Sequence, residues 1–416
     1  VLLLLLPLIG LFVLNYLDQS SPRHLPKPPT TRIVVGPRKV TPKIAASGLH
    51  LVVLVEDGSL WGVGYNDWGQ AGGKTTGTMA WTNQFDTFPG GSDWVDVAAG
   101  GQATFAIRDD GTLWQWGAAS GGLCVFPKNG PVQIGTATNW SAISAAGGIF
   151  GLRSDGTLWA WGNNSNGELG LASGGSQTNP VPLTTDADWA GLAAGSSVSA
   201  AVKSNGTVWA WGHIMSGSRF DGTLKDIGIR TPFRLGTNAS FVRVQCLMTS
   251  VLAEDRSGRL WECALSGAPE QVWRSLPDVP NSLGSWSAGG FVIVALDQTG
   301  KAWVSGRNRL GVLANRWVRK TEEWLPVEGV EGGAAGMAGW GCAVLAKDGE
   351  LLLWGRRFDD SEGQIENPFD RARVWLSRYV PSLKPRGYGR TPAFEIVPWT
   401  AAEFVRTNEA AANPAR

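Results

Sequence analysis

Residues 155–162 read Asp-Gly-Thr-Leu-Trp-Ala-Trp-Gly, a tight turn followed at once by a short strand carrying two tryptophans. The pattern returns as DGSLWGVG from Asp57, DGTLWQWG from Asp110, NGTVWAWG from Asn205, SGRLWECA from Ser257, TGKAWVSG from Thr299 and DGELLLWG from Asp348. Successive turn glycines lie 53, 45, 50, 52, 42 and 49 residues apart. A period near fifty held through seven copies marks one repeated supersecondary unit rather than several unrelated domains. Seven four-stranded units are enough to close a ring. The expected fold is therefore all-β, a seven-bladed β-propeller of four-stranded blades over residues 40–400.

Around the best copy, four strands can be read: residues 131–134 (PVQI), 140–147 (WSAISAAG), 149–153 (IFGLR) and 157–161 (TLWAW). On that frame the first unit begins at its second strand, residues 43–48. Residues 392–396 (PAFEI) would complete it from the C-terminus, with residues 32–35 (RIVV) as the rival. The Asp-Gly pair suits a two-residue hairpin, in which both central residues need φ > 0. Ala-Ala-Gly would let strands crowd near the ring axis. Trp159 and Trp161 are two apart on one strand, so they share a face and would fill the wedge that opens between blades.

The run of residues 145–170 (AAGGIFGLRSDGTLWAWGNNSNGELG) resembles the regulator-of-chromosome-condensation repeat, in a bacterial, Trp-rich form. Weaker copies stand at residues 64–70 (GYNDWGQ) and 306–311 (GRNRLG). The resemblance covers about residues 40–400 and implies the seven-bladed propeller. It implies little about activity, since relatives include exchange factors, a plant light sensor and secreted enzyme inhibitors. The exchange factors' histidine after Ala-Gly-Gly is matched once, by His50, while other units place Thr104 or Phe150 there. The light sensor's Gly-Trp-Arg-His-Thr string is missing, so the repeated tryptophan pairs read as packing.

The 416 residues carry a net charge of +1 and only 17% charged side chains, which provides no field for nucleic acid. Residues 1–17 (VLLLLLPLIGLFVLNYL) contain no charge. As a helix they would reach about 25 Å, close to the roughly 30 Å of a bilayer core. Leu2, Leu6, Leu8, Ile9, Leu11, Phe12 and Leu14 would form this single transmembrane anchor. Residues 18–39 read as a Pro-rich basic linker and residues 401–416 as a C-terminal tail. The basic residues Arg23, Lys27, Arg32, Arg38, Lys39 and Lys43 argue for the cytoplasmic face. A Trp/Gly-rich repeat behind an anchor looks instead like an extracytoplasmic bacterial protein, so the periplasm is the expected side and the cytoplasmic face the alternative. Cys124, Cys246, Cys263 and Cys342 follow no metal or disulfide spacing and read as buried thiols.

His24, His50 and His213 have no neighbouring nucleophile or base motif, and HExxH, Walker A and GxSxG are absent. We therefore expect no catalytic residues, no metal and no cofactor. Propellers bind through the loops that break their repeat, and two stretches do so here. Residues 72–93 hold Trp81, Phe85 and Phe88. Residues 355–391 hold Arg356, Arg357, Phe369, Arg371, Arg373, Trp375, Tyr379 and Tyr388. Aromatic residues and Arg are the types enriched at interface hot spots. The expected role is a scaffold or accessory subunit of an integral membrane protein complex, held to the lipid bilayer by its helix; respiratory, photosynthetic and envelope assemblies all suit. The alternative is a surface-displayed binder or inhibitor of a soluble protein or glycan.

Overall fold

The computed structural model describes residues 40–72, 81–118, 130–165, 167–172, 174–216, 225–236, 240–265, 272–307, 313, 318, 320–338, 341–345, 351–355 and 397–399. The expected anchor and linker (1–39) and both closing candidates (392–396 and 32–35) lie outside the described residues. Among the described residues no helix is long and apolar enough to cross a membrane.

Four-stranded antiparallel sheets follow one another along the chain. The first holds β1 to β4 (Lys43–Ala46, His50–Leu54, Leu60–Tyr65, Trp81–Thr87), and the second β5 to β8 (Trp94–Gly100, Gln102–Arg108, Leu113–Ala118, Val132–Gln133). The third holds β9 to β12 (Trp140–Ala145, Ile149–Arg153, Leu158–Gly162, Gln177–Pro182). The fourth holds β13 to β16 (Trp189–Ala194, Val198–Lys203, Val208–Ser216, Lys225–Arg234). Next come β17 to β20 (Phe241–Cys246, Ser250–Asp255, Leu260–Ala264, Trp273–Ser275) and β21 to β24 (Leu283–Gly289, Val292–Asp297, Lys301–Arg307, Lys320–Glu331). These six are complete blades, each from one continuous run of sequence. A further sheet joins β25 to β27 (Ala334–Ala338, Gly341–Leu345, Leu351–Gly355) to a distant three-residue strand, β28 (Val397–Trp399). The inner strands β1, β5, β9, β13, β17, β21 and β25 touch in that order, and β25 returns to β1. The fold is a β-propeller.

Three expectations need correcting. Residues 131–134 do not open the sheet of Trp140. Gln115 pairs with Val132, so this stretch is the outer strand of the preceding sheet. Every blade therefore starts one strand later than the repeat suggested. Closure changes with it: the first sheet is complete with its own β4, and β28 pairs with β27 of the last sheet rather than with the N-terminal one. The hairpin is also different. In the third sheet the Gly156 N–H donates to the Arg153 carbonyl at 3.0 Å, and Gly156 has φ of 80°. The preceding Asp155 is not among the residues of positive φ. This is a three-residue loop with a single left-handed residue. A Cβ at Gly156 would also lie 2.3 Å from the Ala187 carbonyl oxygen, so only glycine fits.

Among the described residues seven buried apolar clusters each straddle two neighbouring sheets, and one of them joins the first sheet to the last. Near the axis small residues allow close approach, as where a Cβ on Gly100 would lie 2.8 Å from that of Ala145. Farther out, Trp161 is 2% exposed and meets Phe105 of the second sheet edge-on, with centroids 6.1 Å apart. Trp211 repeats the contact with Phe150 at 5.2 Å. Polar ties cross the sheets as well. Lys43 donates to Asp96 at 2.6 Å, and the other Asp96 oxygen accepts the Ile143 N–H at 2.9 Å, linking three sheets.

Candidate binding site

Each of the repeat turns in the first six sheets builds its own polar clasp. Asp155 Oδ1 accepts from both the N–H and the hydroxyl of Thr157, at 3.0 and 2.6 Å, and Thr157 Oγ1 accepts the Trp159 indole N–H at 2.9 Å. Asp57, Asp110 and Asn205 do the same for Trp61, Trp114 and Trp209. In the fifth and sixth sheets an aspartate two positions earlier takes the indole directly, Asp255 for Trp261 and Asp297 for Trp303. Hydrogen bonds from Thr112 and Thr157 hold the Asp110 and Asp155 carboxyls below the usual range. At Asp297 burial pushes upward but is outweighed by donors from Thr299, Asn281 and Trp303, so its carboxyl too is held low.

The outer tryptophans carry a cation on their faces. Arg108 lies 4.8 and 4.6 Å from the centroids of Trp94 and Trp114, and Arg153 lies 4.6 and 3.8 Å from those of Trp140 and Trp159. Lys203 sits 4.9 and 5.3 Å from Trp189 and Trp209, and it also bridges Asp186 at 2.7 Å and Asp188 at 2.9 Å. Such contacts contribute about 0.5–1 kcal/mol each where exposed. Trp159 and Trp161 therefore divide the work: Trp161 fills the wedge, while the half-buried Trp159 stacks under Arg153.

His50 is fully buried between the first two sheets. Thr104 donates its hydroxyl to the Gln70 carbonyl at 2.7 Å, so it must accept the N–H of His50 Nε2 at 2.8 Å. That leaves Nδ1 to accept from the Ser47 hydroxyl at 2.9 Å. Burial drives the His50 pKa down to about 3, so the ring is neutral and serves as a structural link. Cys246 and Cys263 are buried on β17 and β19, on either side of Val251 of β18. Burial raises their thiols to about 12 and about 11.

An opening remains between the third and fourth sheets, a cavity of about 460 Å³ lined by Leu183, Thr184, Asp186, Trp189, Trp209 and Pro232. One side is the turn after β11. There Asn164, buried, accepts the Leu169 N–H at 3.0 Å, and Gly170 lies so close to Trp211 that a Cβ would sit 2.5 Å from its ring. Thr184 Oγ1 accepts the Trp189 indole N–H at 3.1 Å.

The binding residues expected from sequence fall elsewhere. Trp81 lies on β4 opposite Tyr65, and Phe85 lies on the same strand where the register shifts between Gly62 and Gly64. Phe88 is a core residue, 4% exposed and edge-on to Trp116 at 5.0 Å. It therefore cannot serve as an open contact. Arg356, Arg357, Phe369, Arg371, Arg373, Trp375, Tyr379 and Tyr388 lie outside the described residues. Sequence reasoning missed the cavity residues, because they come from two sheets that only the tertiary structure brings together.

With this geometry in place, the Regulator of chromosome condensation (RCC1) repeat matches residues 155–202, which run from the turn through β14. The chain carries the RCC1 repeat. Similar solved structures include Prp20p from Saccharomyces cerevisiae, described with its binding to Gsp1p and histones. It is 19% identical with a TM-score of 0.57, over 71% of this chain and 80% of that one. Yeast RCC1 (Prp20) bound to Kap60 is 20% identical with a TM-score of 0.57, over 71% and 78% of the two chains. Human WBSCR16 is 14% identical with a TM-score of 0.59, over 73% and 87%. At these identities the likeness concerns the RCC1 fold alone. No curated protein matches the sequence.

Proposed function

We propose that this RCC1-repeat propeller is a non-catalytic binding scaffold, tethered by residues 1–17 to a membrane and serving as an accessory subunit of a membrane protein assembly. The observation that carries the binding reading is the cavity of about 460 Å³ between the third and fourth sheets. It is a half-open cleft that brings Trp189 and Trp209 together with Thr184 and Asp186. The groups best suited to acid–base work have framework roles instead, His50 between Ser47 and Thr104, and Asp297 under five donors. The uncharged run at residues 1–17 supports the tether, which would hold the ring against other membrane proteins at raised effective concentration. The periplasmic side follows from the character of the repeat and remains part of the proposal. Purifying the full chain in mild detergent should yield a defined complex with an integral membrane protein. Recovery of the chain alone, with residues 40–416 capturing a soluble partner, would replace the scaffold with a surface-displayed binder.

A further inference from the structure

In three consecutive sheets the last residue of the second strand is a cation laid on two tryptophans. Arg108 pairs in register with Trp94, Arg153 with Trp140 and Lys203 with Trp189. Each lies over that ring and over the first tryptophan of the third strand. What differs is the oxygen each cation finds. Lys203 bridges Asp186 at 2.7 Å and Asp188 at 2.9 Å, and Arg108 reaches the Gly90 carbonyl at 3.5 Å. Among the described residues nothing accepts from the Arg153 side chain, and its Nε is buried with no hydrogen-bond partner.

The local sequence accounts for the difference. Asp186 and Asp188 stand three and one residues before Trp189, whereas the same places before Trp140 hold Ala137 and Asn139. An acid does stand in the third sheet's turn, Asp155, where the fourth sheet has Asn205. Its oxygens are already engaged, Oδ1 by Thr157 at 3.0 and 2.6 Å and Oδ2 by Asn139 at 3.2 Å. Burial lowers the pKa of Arg153 by more than the nearby Asp155 charge raises it. At Lys203 burial also pushes downward, but hydrogen bonds to Asp186 and Asp188 outweigh it. Arg153 is therefore a half-buried guanidinium held 4.6 and 3.8 Å from two indole centroids, with its side-chain donors unused.

We propose that Arg153, backed by Trp140 and Trp159, is the docking point for a carboxylate of a partner polypeptide, an aspartate or glutamate side chain. The partner would supply from outside what Asp186 and Asp188 supply to Lys203 from within. A guanidinium offers two parallel N–H donors that match the two carboxylate oxygens, a fit an ammonium lacks. The two rings already hold the side chain in place, so less freedom is lost on binding. A singly charged carboxylate suits the place better than a doubly charged phosphate, because the charge of Asp155 acts on it too. Arg and Trp are also the types most enriched at interface hot spots. None of these three residues lines the cavity, so the contact is a second one; it rests on the proposal that the ring binds protein.

The test uses the full chain in mild detergent with isotopically labelled arginine, the Arg153 Nε–H resonance being assigned by its loss in Arg153→Lys. The probe is N-acetylglutamate amide, and the neutral N-acetylglutamine amide is the control. The Arg153 resonance should shift saturably with the glutamate probe and stay in place with the glutamine one. Affinity for the probe, read by saturation transfer, should fall about tenfold in Arg153→Gln, the worth of a hydrogen bond to a charged group. Arg153→Lys, which keeps the charge but loses the fork, should fall between parent and Arg153→Gln. Ala137→Asp, which places a carboxylate where the fourth sheet has Asp186, should block the probe and raise the melting temperature; the two Arg153 variants decide the matter if it does not fold. An unmoved resonance, equal responses to the two probes, or undiminished affinity in the folded variants overturns the proposal. So does a resonance that follows inorganic phosphate and ignores glutamate. A defined membrane co-complex whose Arg153 does not respond overturns this contact alone and leaves the scaffold reading standing.

Discussion

Acidification should destabilise the protein through one side chain well before its carboxylates protonate. His50 titrates at about 3 in the folded chain, because burial disfavours its charged form, against 6.5 for a free imidazole. Between those values the unfolded chain binds a proton that the folded chain does not, so stability falls as pH falls. The slope approaches about 1.4 kcal/mol per pH unit for one proton. Because the imidazole is only half protonated at its own pKa, the loss from pH 6.5 to 4.5 comes to about 2 kcal/mol. The clasp aspartates behave differently. Asp110, Asp155 and Asp297 have lowered folded pKa values, so their contribution is present above the ordinary carboxylate pKa and disappears only below about 4. The assay is chemical denaturation at pH 6.5, 5.5 and 4.5, followed by tryptophan fluorescence, on the parent and on His50→Gln. The variant should start less stable, having lost a fitted hydrogen-bond link, and should show the shallower pH dependence. Subtracting the two isolates the contribution of His50. Parallel stability–pH lines for parent and variant would refute a buried neutral His50.

Two further tests address the packing and the clasps. Trp161→Ala should destabilise by about 3–5 kcal/mol as a fully buried aromatic, and Trp159→Ala by clearly less, because its ring is only half-buried under Arg153; equal effects in denaturation would show that both rings fill the wedge. Asp297→Asn should cost about 1.5–3 kcal/mol, the range for hydrogen bonds to a charged group, since its carboxylate accepts from Thr299, Lys301, Trp303 and Asn281. It should also flatten the stability profile below the ordinary carboxylate pKa; an unchanged acid limb would remove Asp297 from the clasp.

Much of the architecture was legible because its causes are local. The Asp-Gly-Thr-Leu-Trp unit contains its own turn glycine, its own carboxylate and hydroxyl, and the indole they hold, all within five residues. Trp161 could be assigned to a blade interface because alternation on a strand and the size of its ring leave few other places for it. His50 was visible as an odd residue in the repeat, but its partner Thr104 lies far along the chain, and the Gln70 carbonyl that orients Thr104 lies in a turn with no motif. The surroundings of Phe88 were hidden for the same reason: it stands in an irregular stretch, yet the second sheet's Trp116 covers it.

The sequence by itself determined that one β unit repeats about every fifty residues and that its tryptophans are framework, since these follow from turn chemistry and side-chain alternation. Only the tertiary structure decided where a blade begins. A hairpin's pairing is set by its own short turn, whereas the outer strand reaches its neighbour across a longer connection and finds its sheet through non-local hydrogen bonds. That assignment shifted the frame by one strand and moved closure to β27 and β28. It also set Trp273 opposite Cys263, at the place where the fourth sheet carries Trp211 on its own third strand.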